Sequence, residues 1–348
     1  MPSWYCSREQ VKKAGRINGS DQDSIIDRLI EAEARRIDSE TRRIFIPKTE
    51  TRLYRYPDFN RPGRALWLDQ DCLAVTTFKT KAQDASPTTI PAADYFLEPV
   101  NTPPYNRIEI DLSSSSVFES GDTPQRSLSV LGRWGYSERT VTAGTLAAAI
   151  ADATATSLTC SDGSLIDVGD ALLIETEQIF VSNRSNAASG TTLNGALTAD
   201  KAEVSVSVVL GTSVKQGEVI LVDSERMYVQ SITSNTLTVI RAYDGSALAA
   251  HSSGVAVHVF RVLTIERAVN GTTGAAHSNA TAISKYQPER DITELNIAAV
   301  IAAYQQEQAG WGREVGGGEG AIEFSGRGVA ELRKQVVMNY RRLLIGAV

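Results

Sequence analysis

The middle of the chain repeats itself, and this restricts the fold more than any other feature of the sequence. Residues 237–253 read LTVIRAYDGSALAAHSS and residues 263–279 read LTIERAVNGTTGAAHSN, with nine of 17 positions identical at an offset of 26. A second pair, VGDALLIETEQIFV at 168–181 and QGEVILVDSERMYV at 216–229, lies at an offset of 48. It keeps Gly169/Gly217, Leu173/Leu221, Glu177/Glu225 and Val181/Val229, and most other positions are conservative. Repetition on this scale means one small supersecondary unit used more than once. The 48-offset copies each predict a hairpin, two apolar strands turning near Glu175-Thr176 or Asp223-Ser224. Asp244-Gly245 and Asn270-Gly271 are strong turn dipeptides. The expectation is a set of small β modules repeated for strand geometry, not for chemistry.

Charge density sets this segment apart. Residues 142–285 carry 13 acidic and 8 basic side chains, 15% of 144 positions, against 27% in the remaining 204. All four tryptophans lie outside it and all three histidines inside it. Such a double step marks an insertion whose two flanks form one domain. A chain of 348 residues, 42% hydrophobic, has room for two cores. Its net charge of −6 argues against wrapping nucleic acid by charge neutralisation. The apolar run 295–304 is about half of the ~20 residues that a membrane span needs. The first residues lack the charged-then-apolar order of a signal peptide. Cys6, Cys72 and Cys160, odd in number and widely spaced, suggest reduced thiols in a protein made in a cytoplasm, with no disulfide framework or zinc site.

The flanks begin and end in helices. Ser7 with Gln10 predicts a capping box for a helix reaching about Ile17. Asn18-Gly19 stops it, and Ser20 with Asp23 starts a second helix with Ile26, Leu29, Ile30 and Ile37 on one face. Strand-like runs follow at 44–46, 51–56, 65–68, 73–79, 95–97, 107–112 and 127–136, separated by Pro- and Gly-bearing turns such as Arg61-Pro62-Gly63. Near the other end, Asp291 with Glu294 predicts the cap of a helix buried through Leu295, Ile297, Val300, Ile301 and Tyr304. A glycine-rich stretch and a last helix carrying Leu332, Val336, Val337, Tyr340 and Leu344 complete the chain.

No catalytic constellation stands out. His251 and His277 occupy equivalent places in Ala-Ala-His-Ser, but no carboxylate or cysteine recurs beside them at ligand spacing, so each is expected to pack against its own turn. No Gly-x-Ser-x-Gly elbow places a nucleophile. The run 311–329 lacks Gly-Lys-Ser/Thr and carries Glu314, Glu319 and Glu323, which would repel phosphate, so it reads as a flexible connector. The expectation is no enzyme, no cofactor and no metal.

The order of motifs in the flanks resembles a known family. It runs from the helix ending Thr41-Arg42-Arg43 through Leu53-Tyr54-Arg55-Tyr56-Pro57, Leu66-Trp67-Leu68-Asp69, Ala93-Asp94-Tyr95-Phe96-Leu97 and Asn101…Pro104-Tyr105 to the strand ending Gly132-Arg133-Trp134-Gly135-Tyr136-Ser137. It closes with two helices around a Gly-rich loop, ending Asn339-Tyr340-Arg341-Arg342. This resembles the head–tail connector (neck adaptor) proteins of tailed bacteriophages, over about residues 1–140 and 286–348. In that family the Trp-Gly-Tyr strand leads almost directly into the penultimate helix; here 144 residues intervene.

The resemblance implies an α+β fold, a helical connector core with β-strands, plus an inserted all-β domain of repeated hairpin modules. The division would be 1–141, 142–285 and 286–348. It implies a structural protein of the virion neck, a homo-oligomeric ring commonly of twelve copies (a dodecamer) below the portal protein. Such a ring extends the DNA channel, lets DNA pass without specific binding, touches no membrane, and docks the tail or a second neck protein. Tyr340, Arg341, Arg342, Arg333 and Lys334 become portal-contact candidates. Ile26, Leu29, Ile30, Ile37, Arg35 and Arg36, on the helix that would serve as a wedge, become ring-packing candidates. A phage adhesin or glycan-binding fibre module is the alternative, weakened by the lack of clustered aromatics in the repeats.

Overall fold

Ser7 does close a capping box: its hydroxyl accepts from the Gln10 N–H while its own N–H donates to the Gln10 side chain. The computed structural model describes residues 4–56, 64–309, 314–315, 322–323 and 327–342. Helix α1 (Arg8–Gly15) and helix α2 (Asp23–Thr41) are followed by a sheet of six strands: β1 (Lys48–Tyr54), β2 (Ala65–Thr80), β3 (Thr88–Ile90), β4 (Tyr95–Glu98), β5 (Tyr105–Ile110) and β6 (Leu128–Trp134). The order is β1-β6-β2-β5-β4, with β3 added beside β2, and every pair is antiparallel. The runs expected at 65–68 and 73–79 join into the single strand β2, and 44–46 is not a strand. The inner face alternates as a half-buried sheet should, and Leu66, Cys72, Phe78, Ile108, Val130 and Trp134 form its core.

Next come β7 (Thr140–Thr145), β8 (Ser157–Thr159), β9 (Ala171–Ile174), β10 (Glu177–Thr192), β11 (Ser205–Ser207), β12 (Val219–Val222), β13 (Glu225–Thr233), β14 (Thr236–Ile240), β15 (Ala256–Glu266) and β16 (Ala282–Tyr286). They make one antiparallel sheet, ordered β11-β14-β13-β12-β15-β10-β9-β16-β7 with β8 beside β15. It curls around two separate cores, one built on Leu146, Ile166, Leu172, Ile179 and Ile283, the other on Leu193, Val214, Ile220, Met227 and Val257. Strand β7 pairs with β16, placing Thr140 opposite Tyr286.

The repeats explain the two cores, and they are nested. Arg184 faces Leu263 across β10 and β15, as Ile232 faces Leu237 across β13 and β14. Leu172 faces Lys285 as Ile220 faces Val259, and Ser157 faces Thr264 as Ser205 faces Thr238. The first module therefore takes its early strands from before residue 186 and its last two from after residue 260. The second module lies wholly between them. The long strands β10 and β15 run through both.

Helix α3 (Arg290–Gln308) and helix α4 (Arg327–Tyr340) complete the described chain. The expected helical connector core is corrected here: among the described residues the protein is mostly β, with antiparallel sheets of six and ten strands, a two-stranded pairing of 314–315 with 322–323, and four α-helices. The flank strands, read singly as decoration on a helical frame, seal a complete core of their own. The helices instead form a thin layer, α2 packing on α3 and α3 on α4, wedged against the first module. Val11, Ile26, Leu29, Ile30 and Val300 share one cluster with Val168, Phe180 and Val269 of that module. Asp291 is not the N-cap of α3, which is Glu289; its carboxylate accepts from the Ile292 N–H at 3.1 Å and from the Tyr340 hydroxyl at 2.9 Å. Leu344, most of the glycine-rich connector and the turn at Arg61-Pro62-Gly63 lie outside the described residues.

Candidate functional site

Five side chains near the C-terminal end were portal-contact candidates, and the structure divides them. Arg333 is spent within the chain, pairing with Glu33 and, at 3.1 Å, with Glu40 of α2. Tyr340 lies edge-on to Phe45 and Tyr136, with ring centroids 5.6 and 5.3 Å away. Arg342 is buried: it donates to the Leu68 carbonyl at 2.8 Å and sits 3.7 Å from Asp71. Burial pulls its guanidinium below the usual arginine range, and Asp71, itself pushed up by burial, also accepts from Arg43 at 2.5 Å. These three side chains fasten α4 to α2, α3 and the six-stranded sheet. Only Lys334 and Arg341 are exposed.

The ring-packing candidates divide in the same way. Ile26, Leu29, Ile30 and Ile37 are at most 5% exposed within the single chain, in clusters shared with α3 and the first module. At about 1.5–3 kcal/mol for each buried Ile or Leu, this face is committed to folding and has nothing left for a neighbour. Arg35 pairs with Asp38 at 3.1 Å, and Arg36 with Glu40 at 3.0 Å. Surface pairs of this kind are worth little.

Lys334 and Arg341 flank a shallow groove of about 480 Å³ between α4 and the end of α2, floored by Ala330 and Val337. Arg42 is a third exposed cation on its rim, one that sequence reasoning missed. It sits at the left-handed C-cap of α2 (φ 56°), where its N–H bonds the Asp38 carbonyl and its side chain leaves the helix. The signal was the Thr-Arg-Arg helix ending, in which Arg43 turns inward to Asp71 and Arg42 outward. The groove's own acid, Glu40, is already shared by Arg36 and Arg333. What remains is a small cationic surface suited to carboxylates on another protein.

The repeated histidines do not come together. His277 presents Nε2 to Glu177 at 2.8 Å and Nδ1 to Glu175 at 2.9 Å; His251 presents Nε2 to Glu225 at 2.9 Å and Nδ1 to Asp223 at 2.7 Å. Each inner glutamate also accepts a forked pair from an arginine of its module, Arg267 or Arg241, at 2.6–2.8 Å. Two backbone N–H groups complete each set: Ala268 and Ala275 on Glu177, Ala242 and Ala249 on Glu225. Burial would raise both carboxyls, but these donors outweigh it and hold them at about 2. Sequence reasoning missed the partners because they lie in the other half of the repeat; the shared Glu177/Glu225 position was the available signal. Every donor is already satisfied by protein, so the trios pin turns and have no free position for chemistry. Among the described residues, no group of three or more His, Cys, Asp or Glu is arranged to hold a metal ion, and no helix is long and apolar enough to cross a membrane. No protein-family profile, curated protein or solved structure matches this chain.

Proposed function

We propose that this chain is a head–tail connector subunit of a tailed bacteriophage, a non-enzymatic ring component of the virion neck. It lies below the portal, extends the DNA channel and docks the tail or next neck protein. The order of motifs in the two flanks carries this reading. One structural feature supports it: Thr140 pairs with Tyr286, so the flanks that bear the motifs can meet as neighbours across the insertion. Arg333 on α4 also ties the C-terminal flank to Glu33 and Glu40 of the N-terminal one.

Docking to the portal uses the cationic groove of Arg42, Lys334 and Arg341, with Arg342 acting from inside as the anchor of α4. Ring contacts come from apolar groups that the fold leaves outside, because the inner face of α2 is already used. Leu53, Trp67 and Phe96, 47, 37 and 51% exposed, lie on strands of the six-stranded sheet and are the best placed. A flank charge of −1 suits a conduit through which DNA slides without being held.

Size-exclusion chromatography with light scattering and negative-stain imaging, on the protein alone and mixed with isolated portal rings, tests the reading. The expected result is a closed ring, formed alone or on the portal, whose binding is lost in K334E/R341E while the melting temperature is kept. A chain that stays monomeric at high micromolar concentration and ignores the portal would reject it.

A further inference from the structure

The two modules share a face, and a flank aromatic covers it in the first copy, whereas in the second only Ser164 stands over Gly217 and Gly19 over Gly245. In the first module Trp4 of the N-terminal flank lies over Gly169 so closely that a Cβ there would come within 2.1 Å of the indole. Its ring meets Phe180 edge-on, centroids 5.4 Å apart, and Val269 completes the cluster. The covering segment is held by backbone bonds as well: the Arg8 N–H donates to the Val168 carbonyl, and the Val168 N–H to Glu9, both at 3.0 Å. Beneath this cover the face is neutral, with Asn270 bonded to Gln178 at 3.0 Å and both buried.

The repeat places Gly217, Tyr228 and Tyr243 of the second module at the positions of Gly169, Phe180 and Val269. Arg226 and Asp244 stand where Gln178 and Asn270 stand and are paired at 2.7 Å, and Asp244 is also held by Lys12 at 3.0 Å and by the Gly19 N–H at 3.2 Å. This copy opens onto a cleft of about 1020 Å³ between the module and the α1–α2 turn, lined by Gly217, Tyr228, Tyr243 and Phe260. Tyr228 and Tyr243 stack with centroids 5.3 Å apart, and Arg226 lies over the Phe260 ring. Hydroxylated rings and a charged pair replace buried apolar and amide groups, the substitution expected of a face that meets water before it meets a partner. The wall opposite carries Lys13 and Arg16, both exposed and ion-paired with nothing among the described residues.

We infer that the second module binds, in this cleft, an extended acidic peptide segment of a partner protein that bears an aromatic side chain. The first module shows what the face accepts, a chain that lays an indole against the aromatic wall; in the second module Ser164 already stands over the glycine, so the ring is received by the Tyr228–Tyr243 stack. The unpaired Lys13 and Arg16 select acidic residues beside that ring. The inference is independent of the connector reading, since it concerns the module face alone.

The test uses the full chain and a fluorescein-labelled peptide, acetyl-Glu-Asp-Trp-Glu-Asp-amide, followed by fluorescence anisotropy. The same peptide with alanine for tryptophan, and a Lys/Arg version, serve as controls. The acidic tryptophan peptide should bind, and both controls at least about tenfold more weakly. Y228S/Y243S should weaken binding by about tenfold or more, and Y228F/Y243F should retain it. K13E/R16E, changes confined to exposed side chains, should also weaken it and flatten its dependence on salt. Equal binding of the alanine peptide, no binding at millimolar concentration, or indifference to the tyrosine and cation variants would overturn the inference. Displacement of the peptide by oligogalacturonate at lower concentration than by unlabelled peptide would overturn it in favour of an acidic glycan.

Discussion

Replacing Glu225 by glutamine isolates what the buried trios contribute. The two carboxylate oxygens accept five bonds: two from Arg241 at 2.7 and 2.8 Å, one from His251 at 2.9 Å, and one each from the N–H groups of Ala242 and Ala249 at 2.9 and 3.1 Å. Glutamine keeps the shape but removes the charge, and it turns an NH₂ group toward donors. Arg241 is 1% exposed, and its remaining partners are the Thr198 and Ala249 carbonyls and a 4.0 Å approach to Glu203. Breaking one half of a buried ion pair while leaving the other costs about 3–5 kcal/mol. Urea denaturation followed by far-UV circular dichroism should show that loss in E225Q. A nearly equal loss is expected in E177Q, whose donor set is the same. The double variant E225L/R241M should recover most of it, because neither charge then remains buried alone. A cost below about 1 kcal/mol in both single variants, within the range of an ordinary surface change, would refute the claim that these trios hold the modules together.

Four further outcomes follow from the structure. Glu177 and Glu225 are held at about 2, so their stabilisation is complete above about pH 4.5 and disappears as pH falls toward 2; melting temperatures over that range should drop, and E177Q/E225Q should flatten the drop. Glu9 has the opposite sign: burial, then Asp167, push it up to about 7, so stability should fall as pH rises from about 4.5 to 7, and E9Q should reduce that slope. Excising residues 187–259 behind a short Gly/Ser linker should leave a folded protein, because Ser185 already faces Val262; removing 142–285 should not, because Trp4, Ile26 and Val300 would lose Val168, Phe180 and Val269, and a soluble, helical product of the larger deletion would contradict this. Cys6, Cys72 and Cys160 are all buried, and burial raises each thiol, Cys160 to about 11 and Cys72 to about 12, so a thiol-disulfide reagent should react with native protein only as it unfolds.

The repeats were legible because strand geometry constrains residue type at each position: Gly169 and Gly217 both need positive φ, and Ala242 and Ala268 share the same left-handed turn. The nesting was not legible. Two hairpin copies followed by two turn copies pair equally well in tandem or one inside the other, and only long-range register decides between them. The histidine partners were hidden for the same reason, since His277 meets carboxylates about a hundred residues earlier in the chain. In the flanks the capping box and the apolar stripe of α2 could be read locally. The weight of the six-stranded sheet could not, because strands such as β3, three residues long, give little periodic signal and matter only through their neighbours. The cationic candidates at the C-terminal end were right in type but mixed in destination; sequence does not say that Arg342 turns inward to Leu68 while Arg341 stays outside.

The hairpin that opens after Ser185 and Val262 to admit the second module has a closed counterpart in that module, where Thr233 faces Thr236 across a tight turn at Ser234-Asn235. The architecture is therefore recursive: the place where the first module admits the second exists again, still shut, within the second. One more unit admitted at this turn would leave the root, Thr140 against Tyr286, as it is. A tag or foreign domain spliced between Ser234 and Asn235 would therefore enter the second module as the second module enters the first, without any adjustment at the base.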